Sequence, residues 1–192
     1  MDELTSLARA AGRGDRAALA RLVRDTQGDV WRLCAHLVDP PSADDLTQDT
    51  YLRAIPALRR FRGDAPVRAW LLTIARRACA AEISARSRDR ELAARLAAAP
   101  VGSLGQPGAE PGTEVTAGLL LAALEPDRRA AFVLTQMLGC SYAGAADICG
   151  CPVGTIRSRV ARAREDLDAM MADQEATPRS ASGGGRGVGR SR

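Results

Sequence analysis

Close to the C-terminal end, Thr155, Arg157, Ser158, Arg159 and Arg162 crowd into little more than two helical turns, with Arg164 just beyond. A guanidinium is a rigid fork of donors that pairs bidentately with a guanine edge or holds a phosphate. At i, i+1 and i+5, Arg157, Ser158 and Arg162 share one side of a helix, whereas Arg159 and Arg164 fall further round and suit phosphate or solvent. A second constellation is acidic. Asp44, Asp45, Gln48 and Asp49 cover one to two turns with no basic residue until Arg53, a surface complementary to a basic partner. The helix dipole accounts in part for Asp44 and Asp45 at a helix start, and less well for Asp49. A third lies between Arg59 and Arg90, where Arg76, Arg77, Arg86 and Arg88 are placed to hold phosphates. No nucleophile–base pair, phosphate loop or ligand cluster occurs, so no catalytic residue, cofactor or metal is expected. Cys34, His36, Cys79, Cys149 and Cys151 lack the paired spacings of a structural zinc site, and the cysteines read as small buried hydrophobes.

Helices must position these groups. Ser141 caps a short helix ending at Gly150, and Pro152 opens the last one, with Val153, Ile156, Val160, Leu167 and Met170 on one face. Ala146, Gly150 and Ile156 fall at the offsets of a helix-turn-helix: a small residue at the crossing, a turn glycine and an apolar residue facing back, with Val160 one place beyond the usual late apolar position. An Arg-lined second helix of that kind enters a DNA major groove. Upstream, Asp15 caps a helix with Leu19, Leu22, Val23, Val30, Leu33 and Leu37 inward, which Pro40-Pro41 ends. Ser42 and Asp45 read as a capping box for the acidic helix, whose inner stripe is Leu46, Thr50, Ala54 and Leu58, with a kink or stop near Pro56. Pro66 then opens a helix carrying Val67, Trp70, Leu71, Ile74, Ala78 and Ile83. Leu119, Ala122 and Ala123 form one later stripe, and Ala131, Leu134 and Leu138 another, stopped at Gly139.

The expected fold is all-α: two small helical domains joined by a flexible linker. Residues 1–92 form the first, 93–113 a Pro/Gly-rich linker, 114–175 the second, and 176–192 a disordered basic tail. Composition agrees. The 192 residues are 46% hydrophobic but only 3% aromatic, and all 27 basic residues are Arg. The net charge of +4 is unevenly spread: residues 59–90 carry +6 and 128–164 carry +5, against −2 for 1–58 and −4 for 91–127. Two basic blocks suggest two contacts with a polyanion. No apolar run reaches 18 residues and no signal segment opens the chain, so a cytoplasmic protein without membrane insertion is expected.

The same residues carry a family resemblance. Ser141-Tyr142-Ala143-Gly144-Ala145-Ala146 and the run from Cys151 to Arg164 resemble region 4 of an extracytoplasmic-function (ECF) bacterial RNA polymerase sigma factor. Ala43-Asp44-Asp45-Leu46-Thr47-Gln48-Asp49-Thr50-Tyr51-Leu52-Arg53-Ala54 resembles region 2.2, and Trp70 to Arg76, after Phe61-Arg62-Gly63, resembles region 2.3. The resemblance implies a dissociable subunit that binds core RNA polymerase and directs it to promoters. By it, Asp45, Gln48 and Asp49 would dock on the β′ clamp helices. The Gly63, Asp64 and Ala65 loop, with Arg76 and Arg77, would meet the −10 element and capture a flipped base. Thr155, Arg157, Ser158, Arg159 and Arg162 would meet the −35 element. An anti-sigma factor is a further partner by family analogy. Trp70 could stack on a base, although its place in the apolar stripe favours core packing. Two other readings stay open here: a helix-turn-helix regulator acting without polymerase, and a thiol- or metal-based sensor.

Overall fold

A computed structural model describes residues 2–97 and 117–176, and all regular structure among them is helical. Helix α1 (Glu3–Gly12) starts on Asp2, and α2 (Arg16–Leu37) starts on Asp15, whose carboxylate accepts from the amides of Ala17 and Ala18. The start of α3 (Pro40–Ala57) differs from the sequence expectation. Asp39, not Ser42, is the cap, accepting from the Ser42 amide at 2.8 Å, and Pro40-Pro41 occupy the first turn. Proline lacks only the N–H that a first turn leaves unpaired, so the pair that ends α2 also opens α3. After Pro56 the chain tightens into one 3₁₀ turn, Leu58–Arg60.

Helix α4 (Val67–Ala97) continues past residue 92, because Glu91 to Ala97 are strong helix formers. The rest of the expected linker up to residue 113, and the tail from 177, lie outside the described residues. Helices α5 (Ala117–Ala123) and α6 (Pro126–Phe132) follow, then a π turn over Val133–Met137, α7 (Tyr142–Cys149) and α8 (Val153–Ala176). Leu121 and Leu124 are buried here, while the expected Leu119 is 54% exposed. Three consecutive leucines give no periodicity from which to choose an inner one.

The first four helices enclose Leu22, Val30, Leu33, Leu71 and Leu72. Thr26 and Tyr51 are joined within this core by a 2.8 Å hydrogen bond. The apolar cluster runs on without a break into the second half, through Ala130, Leu134, Ala145, Ile148 and Ile156. Helix α7 packs on α4, and α6 touches α2. Arginines fasten this seam: Arg68 Nη2 donates to the Leu138 carbonyl at 2.7 Å, Arg76 Nε to Ile148 at 3.0 Å, and Arg129 Nη1 to Leu37 at 2.9 Å.

Arg68 is aimed by Asp29, 2.5 Å from its Nε and only 17% exposed. Burial alone would raise the Asp29 carboxyl, but the guanidiniums of Arg68 and Arg32 outweigh it and hold it below its ordinary value. Stability from a depressed carboxyl is fully present above the unfolded pKa, near ~4, and is lost as the pH falls through the lower folded value. Asp29→Asn should therefore cost about 1 kcal/mol at neutral pH, allowing for solvent screening. It should also flatten the loss of stability below pH ~4. Thermal midpoints across an acid series would check both.

Candidate nucleic-acid interface

Ser141 Oγ accepts from the Gly144 amide at 3.0 Å and starts α7. Gly150, at φ +67°, ends it in the left-handed region, and the Cys151 amide turns back to the Ala146 carbonyl at 3.1 Å. That turn sets α8 across α7 with Ile156, Val160 and Ala163 fully buried, so Val160 lies on the inner face. Arg157, Ser158 and Arg162 are exposed on the other side. Thr155 is half-buried, and its carbonyl accepts from Ser158 Oγ at 3.0 Å. Arg159 is set apart from them. It is half-buried, ion-paired to Asp127 of α6, with Nη1 3.6 Å from Cys151 Sγ. Arg164 Nη2 donates to Gln136 Oε1 at 2.6 Å. The two arginines read from the sequence as lying further round are thus tied to α6 and the π turn.

Between the 3₁₀ turn and α4 the chain opens an accessible hollow of about 360 Å³, lined by Arg60, Phe61, Arg62, Gly63, Asp64, Ala65 and Trp70. Gly63 adopts φ +81°, which a side chain would strain. Trp70 packs against the core and also walls the hollow, its ring 5.1 Å from Phe61 at 42°. Arg77 is exposed, whereas Arg76 is turned onto the Ile148 carbonyl. Arg86, expected on phosphate, instead pairs with Asp39 and Glu82 and fastens α4 to the cap of α3.

On α3, Asp45 and Gln48 are exposed, and Asp49 is half-buried and paired to Arg53 at 2.8 Å. Asp44 accepts from Trp31 Nε1 at 2.9 Å. Two residues that sequence reasoning missed extend this face: Leu52, 64% exposed, and Ile55, 39% exposed. Their spacing of four and seven residues from Gln48, opposite Leu46, Thr50 and Ala54, was the available signal.

Family models for Sigma-70 region 2 and for Sigma-70, region 4 match residues 22–89 and 117–167. The "ECF RNA polymerase sigma factor SigC" of Mycobacterium tuberculosis (strain CDC 1551 / Oshkosh) is 50% identical over 176 residues, 91% of this chain and 92% of that protein. The chain belongs to the ECF sigma factors. "ECF RNA polymerase sigma factor EcfG" of Rhodopseudomonas palustris is 41% identical over 130 residues, 67% of this chain and 71% of that one. Among solved structures, the sigma factor RpoE in complex with the anti-sigma factor NepR from Bartonella quintana superposes with a TM-score of 0.64 at 29% identity, covering 80% of this chain and 96% of that one. CnrH in complex with the cytosolic domain of CnrY gives 0.66 at 28%, covering 90% and 99%. As an ECF sigma factor the chain is a transcription initiation factor, not an enzyme. It binds core RNA polymerase and directs it to promoter DNA, and a regulator acting without polymerase is not favoured.

None of the five thiols is fully exposed. Cys34 and Cys79 are fully buried, Cys140, Cys149 and Cys151 are half-buried, and all are free. No group of three metal-ligating side chains occurs among the described residues, nor is any helix there long and apolar enough to cross a membrane. Burial pushes the Cys149 thiol up to about 11, against the pull of Arg76, so it is protonated at neutral pH. Iodoacetamide at neutral pH should modify Cys34, Cys79 and Cys149 at least about tenfold more slowly in the native than in the unfolded protein. Peptide mass mapping over time would check this.

Proposed function

We propose that this ECF sigma factor divides its task among three surfaces. The outer face of α3, with Asp45, Gln48 and Asp49 flanked by Leu52 and Ile55, docks on the β′ clamp helices of core polymerase. The hollow at Gly63, Asp64 and Ala65, with Arg76 and Arg77, takes the −10 element. The outward side of α8 reads the −35 element through Arg157, Ser158 and Arg162, with Thr155 beside them and Arg159 holding the helix from behind. The domain division follows: residues 1–92, with the end of α4, serve polymerase and −10 DNA, residues 114–175 serve −35 DNA, and the intervening segment spans them. The observation that carries this reading is the α8 face, where Arg157 and Arg162 stand exposed with no ion pair among the described residues.

Arg76 gives only its Nε to the Ile148 carbonyl, which leaves both Nη groups to donate to promoter phosphate while α4 stays packed on α7. The protein acts in the cytoplasm, where its polymerase is. The anti-sigma factors named with its structural neighbours support a partner of that class here too.

Gln48→Ala combined with Asp49→Arg sets like charge against a basic partner and should weaken core association by about 2 kcal/mol. Binding of −35 duplex should be unchanged. Fluorescence titration against core polymerase, with circular dichroism to confirm that α3 persists, tests this. Unchanged core affinity would remove α3 from the interface. Arg157→Ala should lower discrimination between cognate and scrambled −35 duplexes by about 1–3 kcal/mol. Titrations on both duplexes at two salt concentrations test this, and equal weakening on the two would make Arg157 a phosphate clamp.

A further inference from the structure

The loop that forms the hollow is held from outside itself. Helix α1 lies N-terminal to residue 22, where the region 2 match begins, yet it touches the chain at both ends of this loop. At the downstream end, the first N–H of α4 has no partner within its own helix. Thr5 Oγ1 accepts it: the Val67 amide donates at 3.1 Å, a buried bond across 62 residues of sequence. At the upstream end, Arg9 Nη2 donates to the Arg62 carbonyl. The Arg9 guanidinium also fills the space behind Gly63, where an added Cβ would stand 3.0 Å from its Nε. One turn on, Gly12 lies so close to the 3₁₀ turn that a Cβ there would meet the Leu58 carbonyl oxygen at 2.5 Å. Residues 58, 62, 63 and 67 are thus all fixed against one face of α1.

We infer that Thr5 and Arg9 are positioning residues for promoter recognition: they set the shape of the 61–66 loop, and through it which base the hollow accepts. This rests on the reading that the hollow takes a base of the −10 element. Neither side chain needs to touch DNA. A loop with a positive-φ glycine and few side-chain bonds of its own samples many shapes, and a hollow selects a base only when its walls are pre-set. The Arg9 bond fixes the direction of the Arg62 carbonyl, and the Thr5 bond fixes where α4, and so Trp70, begins.

The test uses the full chain with core polymerase and fork-junction DNA carrying each of the four bases at every non-template −10 position. Asp64→Ala, within the loop, identifies the position the hollow reads. Arg9→Ala should cut discrimination at that same position by about tenfold. Affinity for core polymerase and for isolated −35 duplex should stay as in the parent, with a nearly unchanged thermal midpoint. Thr5→Val, isosteric but without the acceptor, should cut discrimination likewise while lowering the midpoint through the unpaired Val67 amide, and Thr5→Ser should restore both. If Asp64→Ala lowers discrimination while Arg9→Ala and Thr5→Val leave it intact, the inference is wrong and the base-binding reading stands. Equal loss for all four bases with a lowered midpoint would make the role of α1 merely structural, again overturning it. If Asp64→Ala alters no position, the base-binding reading fails and this inference with it.

Discussion

Small residues at helix crossings set the distances on which this molecule depends. With 3% aromatic content there are few large rings to hold helices apart. Ala8, Ala43, Ala54, Ala75, Ala78, Ala131, Ala145, Ala146 and Ala163 are instead buried between leucines. Close approach brings backbone within reach of backbone, so Gly12 sits against the Leu58 carbonyl where even a methyl group would collide. Once α1 is seated so tightly, the loop beside it has little freedom. The same economy of volume lets α7 lie flat on α4 and makes one apolar cluster of two regions.

Arginine is the other half of that design. A chain without lysine uses the guanidinium both to fasten and to display. Arg9, Arg68, Arg76 and Arg129 reach carbonyl oxygens at loop and helix ends, where several donors on a planar head serve better than a point charge. Arg86 and Arg159 pair with carboxylates to fix α4 and α8 on their neighbours. Arg77, Arg157 and Arg162 remain exposed. Chemically alike side chains are divided between scaffold and surface by position alone.

That division marks what could be read from the sequence. The helix-turn-helix was legible because its determinants are local: Ser141 as cap, Gly150 in the left-handed turn, and Ile156 and Val160 on one face. The outward set on α8 followed from angle alone, as did the displacement of Arg159 and Arg164. The destinations of Arg76 and Arg86 were not legible, because their partners lie far away in sequence. The Asp39 cap was missed because Ser42 satisfied the same local rule. The roles of Thr5 and Arg9 left no local trace, since both act across more than fifty residues of chain.

The seam between the two halves has an electrical consequence. Arg76 and Arg129 cross it onto neutral carbonyl oxygens, so these bonds hold the halves together without cancelling the cations that make them. A carboxylate in the same place would have joined the halves at the expense of the molecule's attraction for a polyanion. Because the acceptors are dipoles, the positive potential of both basic blocks still reaches outward over about one Debye length. The folded molecule can therefore be drawn toward DNA with its seam still closed.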